Sequence, residues 1–322
     1  MGTKIETVEV RIKSITYEAQ GINSIELRPL AGGELAPFEA GAHVDLHLAN
    51  GMIRSYSLTN SQDERHRYVI AVNKDAASRG GSRFVHEQLR AGDTLTVSVP
   101  RNNFALDENA RHTVLIAGGI GMTPLWCMIQ RLEALGRSWE LHYSTRSRQN
   151  AAFLEQLRGL GERVHLNLHT NFDDESGGTM LDLEGIVARA APDSHFYCCG
   201  PLPMLAAFEK AAACRPSEQV HVEYFAAKKE PAAGGAFTVV LAKAARTISV
   251  PKGKTILDAL LDAGMDVAYS CMEGVCGTCE TAVLEGIPDH RDLVLSKEEQ
   301  AANKTMMICC SGCKGDRLVL DI

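Results

Sequence analysis

Three cysteines, Cys271, Cys276 and Cys279, lie within the nine-residue stretch CMEGVCGTC, and a second group, CCSGC, begins at Cys309. Thiolates at such short spacing can hold a zinc ion or an iron-sulfur cluster, and paired cysteines can form disulfides. Six of the ten cysteines follow residue 270, and the first 25 residues lack the apolar core of a signal peptide. This clustering in a large chain favours a metal site over a disulfide framework.

The spacing CxxxxCxxC with a distant fourth cysteine is typical of plant-type two-iron clusters, whereas zinc ribbons usually present two CxxC pairs. Residues 280–308, 29 in all, separate Cys279 from the next cysteine. The tail resembles plant-type ferredoxins, whose fourth ligand lies at this distance, and the resemblance therefore selects Cys309 rather than Cys310. Cys310 and Cys313 are then interpreted as small thiols without a ligand role. We predict a 2Fe-2S cluster on Cys271, Cys276, Cys279 and Cys309.

A Gly-rich stretch, IAGGIGMTP, follows a buried strand at Ile116 and opens a helix near Pro124. Such a turn brings backbone N–H groups and a helix N-terminus close to a phosphate. The order of its glycines departs from the GxGxxG fingerprint, so the motif by itself is weak evidence. A ferredoxin cluster moves one electron at a time and cannot accept a hydride, so another module must supply single electrons.

The Gly-rich loop resembles the pyridine-nucleotide loop of the ferredoxin-NADP reductase superfamily, which also carries a CGP triplet, here starting at Cys199. Two earlier motifs, RSYSLTN from Arg54 and RGGSRF from Arg79, resemble the flavin motif and the phosphate-facing loop of that superfamily. The resemblance implies a nicotinamide-nucleotide site formed by Gly118, Gly119, Gly121, Thr145, Arg146, Cys199, Gly200 and Pro201.

Nearly the whole chain resembles the phthalate dioxygenase reductase family, which includes vanillate demethylase and carnitine monooxygenase reductases. The stretch LEGIPDHRD and the terminal LVLDI extend the resemblance. Members with this domain order use FMN. The resemblance implies FMN contacts by Arg54, Ser55, Tyr56, Ser57, Asn73, Lys74, Gly80, Gly81, Ser82, Thr123 and Phe225.

Several of these residues have roles that their chemistry explains. Arg54 offers a guanidinium fork to a flavin phosphate, and Tyr56 can lie against the isoalloxazine. The resemblance implies that Phe225 covers the flavin and yields to nicotinamide. The residues expected nearest the reacting atoms are Ser57, Thr123, Cys199 and Phe225.

The coenzyme expected from the family is NADH, although NADPH stays open. Arg146 and Arg148 follow the second strand of the nucleotide domain, and no acidic residue stands beside them to bind a ribose 2′-hydroxyl. The two arginines could accept a 2′-phosphate, or they could be solvated surface residues.

Three modules are expected to position these residues. Alternating runs such as HVDLHL and TLTVSV predict an antiparallel β-barrel for the flavin over 1–106. Alternating strands and helices predict a doubly wound parallel α/β domain for the nucleotide over 107–226. A Pro/Gly-bearing linker over 227–236 precedes a β-grasp ferredoxin domain over 237–322. The fold class is thus multidomain α+β.

Composition limits the partners. The net charge of −7 and the lack of long basic runs argue against nucleic acid or an anionic membrane. No stretch of 18 apolar residues occurs, so we expect a cytoplasmic protein, which we further expect to be a monomer. The expected partner is a terminal Rieske oxygenase that itself recognises an aromatic acid, an aryl ether or a quaternary amine.

Two other hypotheses stay open. A reductase of the same architecture could serve a one-electron acceptor that is not an oxygenase. A redox sensor or a zinc-stabilised interaction module would require all four nucleotide and flavin motifs to be incidental.

Overall fold

A computed structural model describes residues 6–76, 78, 80–161, 167–175, 177–226, 230–232 and 235–322. The chain forms two compact units, Thr7–Glu223 and Tyr224–Ile322. Arg79 of the predicted phosphate-facing loop lies outside the described residues, as do 227–229 and 233–234 of the predicted linker.

The first unit begins with a six-stranded antiparallel sheet in the order β4-β3-β6-β1-β2-β5. A bridge between Leu58 and Ile70 joins the two outer strands and closes the sheet into the predicted barrel. One helix, α1, spans Gly81–Gln88 between β5 and β6. The strands are β1 (Thr7–Ala19), β2 (Ile22–Pro29), β3 (His43–His47), β4 (Ile53–Ser57), β5 (Tyr68–Asn73) and β6 (Thr94–Ser98).

The second sheet of this unit is parallel and has the order β11-β10-β7-β8-β9. The chain starts in the centre at β7, moves outward to β9, and then crosses to the other side, which is the predicted doubly wound topology. The point where the direction reverses lies between β7 and β10. The strands are β7 (His112–Gly118), β8 (Ser138–Thr145), β9 (Leu168–Phe172), β10 (Ser194–Cys199) and β11 (Val220–Glu223).

Helices connect these strands, as right-handed crossovers require. The longest, α2, ends at Gly136, whose φ of 63° satisfies the left-handed position that a helix C-terminus commonly needs. The apolar side chains of α2 pack on Leu141 and Tyr143 in the core of this unit. The helices are α2 (Met122–Leu135), α3 (Leu154–Gly159), α4 (Leu183–Arg189) and α5 (Leu202–Ala211).

The second unit contains a mixed sheet in the order β13-β12-β18-β14-β16 and a two-stranded sheet of β15 and β17. Helix α6 (Ile256–Asp262) begins with a capping box between Thr255 and Asp258 and packs its apolar face on the mixed sheet. This is the predicted β-grasp. The remaining elements are β12 (Phe237–Leu241), β13 (Arg246–Val250), β14 (Glu280–Glu285), β15 (Pro288–Asp289), α7 (Lys297–Ala302), β16 (Thr305–Met307), β17 (Gly312–Cys313) and β18 (Arg317–Leu320).

The element boundaries differ from the expected ones where pairing decides them. Strand β2 forms because it pairs along its length with β1. The run AAFLEQLRGLG, residues 151–161, predicts a helix, which the structure confines to Leu154–Gly159. The run VHLNLHT, residues 164–170, predicts a strand, which appears as Leu168–Phe172, and 162–166 lie outside the described residues.

Candidate functional site

The flavin motif lies on β4 and meets the start of α1. An added Cβ on Gly81 would lie 2.7 Å from Nε and 2.8 Å from Cγ of Arg54, so the guanidinium stem lies directly over the glycine backbone. Arg54 donates through Nη1 to the carbonyl of Ile53 at 2.8 Å. A glycine at position 81 therefore provides the space in which an arginine and a helix start can face one anion.

Neighbouring residues on β4 point to different surroundings because side chains alternate along a strand. Ser55 donates to Asp45 at 2.7 Å, and Asp45 is buried and ion-paired with Arg101 at 2.6 Å. The hydroxyl of Ser55 is thus used inside the barrel. Tyr56 is half-buried, and burial raises its pKa to about 12, so the phenol stays neutral.

Three further predicted flavin residues, Asn73, Lys74 and Ser82, lie at the end of β5 or in α1. Asn73 ends β5, and Lys74 follows it and pairs with Glu87 of α1 at 2.9 Å. Ser82 accepts a hydrogen bond from the backbone of Asp75 at 3.3 Å. The segment that follows β5 is therefore tied to α1, opposite the stem of Arg54.

Helix α2 connects the barrel to the parallel sheet. Gln130 donates to the carbonyl of Thr59 at 2.8 Å, and the thiol of Cys127 donates to the carbonyl of Asn60 at 3.2 Å. These bonds hold the residues after Ser57 against the helix whose first turn contains Thr123. Cys127 was excluded as a ligand from sequence, and the structure gives it this packing role; burial raises its pKa to about 12.

The two nucleotide motifs pack directly against each other at the switch point. A Cβ on Gly121 would lie 2.1 Å from the carbonyl oxygen of Cys199, and one on Gly118 would lie 2.6 Å from Pro201. A Cβ on Gly200 would in turn lie 3.0 Å from the Cα of Gly118. The glycines are thus required for the contact between the two loops. The sequence had suggested only that they make room for a phosphate. Ligands of open α/β sheets bind at this kind of position.

Glu223 is a residue that the sequence analysis missed. It ends β11 and pairs in register with Cys199 of β10, and its Oε2 is buried without a hydrogen-bond partner among the described residues. Burial raises the pKa of Glu223 to about 8. The pKa of the Cys199 thiol is raised well above its ordinary value, mainly by burial and also by the nearby carboxylate of Glu223. A neutral thiol and a neutral carboxyl therefore lie side by side at the ends of β10 and β11 at pH 7. Only the position of Glu223 at a strand end next to the aromatic motif EYF could have indicated it.

Acidic residues also reach the end of β8, beside Thr145 and Arg146, although none is near in sequence. The backbone N–H groups of Asp173 and Asp174 donate to the carbonyls of Thr145 and Arg146 at 3.0 and 3.1 Å. Parallel pairing of β8 with β9 brings these segments together.

Arg148 is ion-paired, although its side chain is 53% exposed. It donates to both carboxylate oxygens of Glu175, at 3.1 and 2.9 Å, and lies over the ring of Phe172 at 4.5 Å from its centroid. Arg146 is exposed. Of the two arginines that could accept a 2′-phosphate, one is therefore already paired.

Phe225 lies two residues after the end of β11 and is 41% exposed. It belongs to the unit that begins at Tyr224. Its expected contact with a flavin stays a prediction.

The four predicted cluster ligands are brought together by the second unit. Cys271, Cys276 and Cys279 lie in the loop between α6 and β14, and Cys309 follows β16; all four are buried. The pKa of Cys279 is raised well above its ordinary value, mainly by its hydrogen bond with the Cys309 thiol and also by burial. Sulfurs packed this closely need cations to hold them as thiolates, and iron ions supply that charge.

The loop backbone has the form that a cluster requires. Met272, Gly274 and Gly277 have φ of 57°, 71° and 75°, so the chain turns tightly around the sulfurs. The backbone N–H of Glu273 donates to the sulfur of Cys271 at 3.3 Å, the kind of bond that tunes iron-sulfur clusters. The residues present thus fit a cluster.

Cys310 lies beneath the loop, beside Gly274. A Cβ on Gly274 would lie 2.4 Å from the sulfur of Cys310, so the loop backbone rests on this thiol. All ten cysteines of the chain, each within the described part, are free thiols. The disulfide alternative is therefore wrong for this structure.

Comparisons with known proteins agree with this geometry. Residues 239–314 match the family model described as a 2Fe-2S iron-sulfur cluster binding domain. Phenoxybenzoate dioxygenase subunit beta from Ectopseudomonas oleovorans is 56% identical over 98% of this chain and 97% of its own length. Tetrachlorobenzoquinone reductase from Sphingobium chlorophenolicum is 53% identical over the full length of both chains.

Among solved structures, phthalate dioxygenase reductase superimposes with a TM-score of 0.77 and 37% identity over 98% of both chains. The chain belongs to the phthalate dioxygenase reductase family. That structure is described as modular, for electron transfer from pyridine nucleotides to [2Fe-2S]. The predicted family, the flavin- and nucleotide-binding reductase fold and the 2Fe-2S domain are thereby confirmed.

The reductase fold also occurs inside a longer protein. An intact type IV self-sufficient cytochrome P450 monooxygenase has a TM-score of 0.85 and 39% identity over 98% of this chain. This chain spans 41% of that polypeptide.

This reductase, in the part of the chain that the structure describes, contains no helix both long and apolar enough to cross a membrane.

Proposed function

We propose that this chain transfers a hydride from NADH to bound FMN and delivers electrons singly, through its 2Fe-2S cluster, to a separate terminal Rieske oxygenase. The observation that carries the proposal is the full-length similarity, at 56% identity, to a protein named as a dioxygenase subunit. The oxygenase would choose the organic substrate. Because NADH is a cytoplasmic coenzyme, we place the protein in the cytoplasm, as a monomer with modules over 1–106, 107–226 and 237–322.

The flavin, when bound, accepts two electrons as a hydride and releases them one at a time. In the proposal Arg54, over Gly81, binds the phosphate together with the N-terminus of α1. Tyr56 lies along the ring, and Ser57 and Thr123 orient its reactive edge. The remaining contacts are those of Ser55, Asn73, Lys74, Gly80, Ser82 and Phe225.

The nicotinamide would lie over the switch point. Gly118, Gly119, Gly121, Gly200 and Pro201 would admit its phosphates, and Thr145 and Arg146 would contact the adenosine end. Cys199 and Glu223 are neutral there, so neither leaves an unpaired charge beside the reacting carbon.

Steady-state assays with the loaded protein test the proposal. NADH should reduce cytochrome c in a cluster-dependent reaction, and the purified oxygenase of the same organism should turn over when the reductase is added. If NADH reduced ferricyanide but the oxygenase accepted no electrons, the proposed partner would be wrong.

A second candidate function is reduction of a quinone without an oxygenase. The 53% identical relative named tetrachlorobenzoquinone reductase favours it. Rates with a halogenated benzoquinone and with the oxygenase, compared as kcat/KM, separate the two candidates.

The pKa of Glu223 predicts how the reaction with NADH depends on pH. Its raised pKa of about 8 keeps the carboxyl neutral below pH 8 and leaves it negative above. If the neutral form is required, kcat/KM for NADH should fall about tenfold between pH 7 and pH 9, because only about one molecule in ten is then protonated. Ferricyanide reduction measures this step without the cluster.

Glu223→Gln should remove the fall, and Glu218→Gln, a change on an exposed residue nearby, should retain it. An unchanged alkaline fall in Glu223→Gln would assign the titration to another group.

The pair of Arg148 and Glu175 predicts the choice of coenzyme. Wild-type protein should prefer NADH, because Glu175 neutralises Arg148 and Asp174 lies beside Arg146. Glu175→Gln should raise kcat/KM for NADPH by up to about fivefold, the range of an exposed ion pair, and leave NADH unchanged. Initial rates with both coenzymes measure this, with Glu155→Gln as the control. A wild-type preference for NADPH would contradict the assignment.

A further inference from the structure

Three potential metal ligands meet on the parallel sheet, away from the nucleotide loops. Glu140, His142 and His169 each offer one ligand atom, and these atoms all lie within 4.8 Å of one another. Glu140 and His142 are two residues apart on β8, so their side chains leave the same face. His169 is the register partner of His142 on the edge strand β9.

This face is opposite to the one that packs on α2. Trp139, Leu141 and Tyr143 alternate with the ligand residues and are buried against α2. His142 also precedes Thr145 by three residues on β8. It therefore lies roughly 10 Å along the strand from the edge where the nucleotide is expected. The three side chains therefore have no part in the proposed electron transfer.

The distances suit a small transition-metal ion. Nε2 of His142 lies 3.3 Å from Oε1 of Glu140. Metal–ligand bonds near 2.1 Å in a tetrahedral site separate neighbouring ligand atoms by roughly 3.4 Å. The rings of His142 and His169 are stacked at 4.6 Å between centroids, which places their nitrogens side by side.

The donor set also suits such an ion. A cation held by the carboxylate of Glu140 and the two stacked imidazoles would have the oxygen and nitrogen donors that zinc sites use.

A cavity of about 670 Å³ opens on the same side chains. His112, Asp182 and Arg189 line it together with apolar side chains, so a fourth coordination position would face a solvent-connected space. His142 is 11% exposed and Glu140 29% exposed, so an ion can enter from solvent.

We propose that Glu140, His142 and His169 form a binding site for a zinc-class divalent cation that links β8 to the edge strand β9. Two imidazoles and one carboxylate favour zinc, copper or nickel over magnesium or calcium, which prefer oxygen ligands. The site is independent of the flavin, the nucleotide and the iron-sulfur cluster.

Equilibrium dialysis of the loaded full-length protein against zinc sulfate, with zinc and iron measured in the same sample, tests the proposal. Wild-type protein should bind one additional zinc per chain while its iron content stays constant. His169→Gln, a change on an exposed side chain, and Glu140→Gln should each weaken binding at least tenfold. His66→Gln, on an exposed histidine of the barrel, is the matched control and should bind as wild type does.

Three results would overturn the proposal: no zinc retained by wild-type protein, equal retention by His169→Gln, or zinc uptake matched by loss of iron. The last would assign the zinc to the cluster cysteines. Magnesium sulfate in place of zinc should give no retained metal, and the thermal unfolding midpoint should rise with zinc in wild type and the His66→Gln variant only.

Discussion

Cys309→Ser is expected to abolish the 2Fe-2S cluster, whereas the neighbouring Cys310→Ser is expected to retain it. Cys309 raises the pKa of Cys279, which shows that these two sulfurs are neighbours, whereas the Cys310 sulfur lies under Gly274. A serine hydroxyl at position 309 cannot replace a thiolate ligand at neutral pH. NADH-dependent cytochrome c reduction should therefore fall to the level of cluster-free protein.

Ferricyanide reduction by NADH should stay near the wild-type rate in both variants, because the flavin alone can supply that acceptor. Iron content and the visible spectrum show the loss directly. If Cys309→Ser retained two irons, or if only Cys310→Ser lost them, the fourth cluster ligand would be Cys310 and not Cys309.

Gly121→Ala is expected to separate the two nucleotide loops and impair the reaction with NADH. The new Cβ would lie 2.1 Å from the carbonyl oxygen of Cys199 and 2.4 Å from its carbonyl carbon, so the backbone itself must move. Overpacking of this kind costs about 1–3 kcal/mol of unfolding free energy. KM for NADH should rise by roughly tenfold or more, as 1.4 kcal/mol of lost binding energy would produce.

Gly159→Ala is the matched control, because a Cβ there has no atom within 4 Å. Chemical denaturation measures the stability change, and stopped-flow reduction by NADH measures the binding change. Electron transfer from photoreduced flavin to the cluster should be unchanged in Gly121→Ala. Wild-type kinetics with NADH in this variant would show that the loop contact is not needed.

Features that depend on local spacing were predictable from the sequence. The interval between Cys279 and Cys309 and the strand-to-helix glycine turns depend on neighbours along the chain, and the structure has them at the expected places. The alternation of strands and helices after Arg111 likewise predicted a parallel sheet, because such crossovers have one hand.

Features that depend on pairing between distant segments were not predictable from one sequence. Glu223 meets Cys199 only because β11 and β10 pair in register, and Asp174 reaches Arg146 only because β9 lies beside β8. The steric need for a glycine at position 121 was also not predictable, because the backbone it contacts, at Cys199, is 78 residues away in the sequence (199 − 121).

Anaerobic addition of one equivalent of NADH to the loaded full-length protein tests the central claim most directly. Absorbance should show loss of the oxidised flavin, and low-temperature EPR of samples frozen along the reaction should show a reduced 2Fe-2S signal, absent from Cys309→Ser. Flavin reduction without a cluster signal in wild-type protein would contradict the account, because the cluster would then not accept electrons from the flavin.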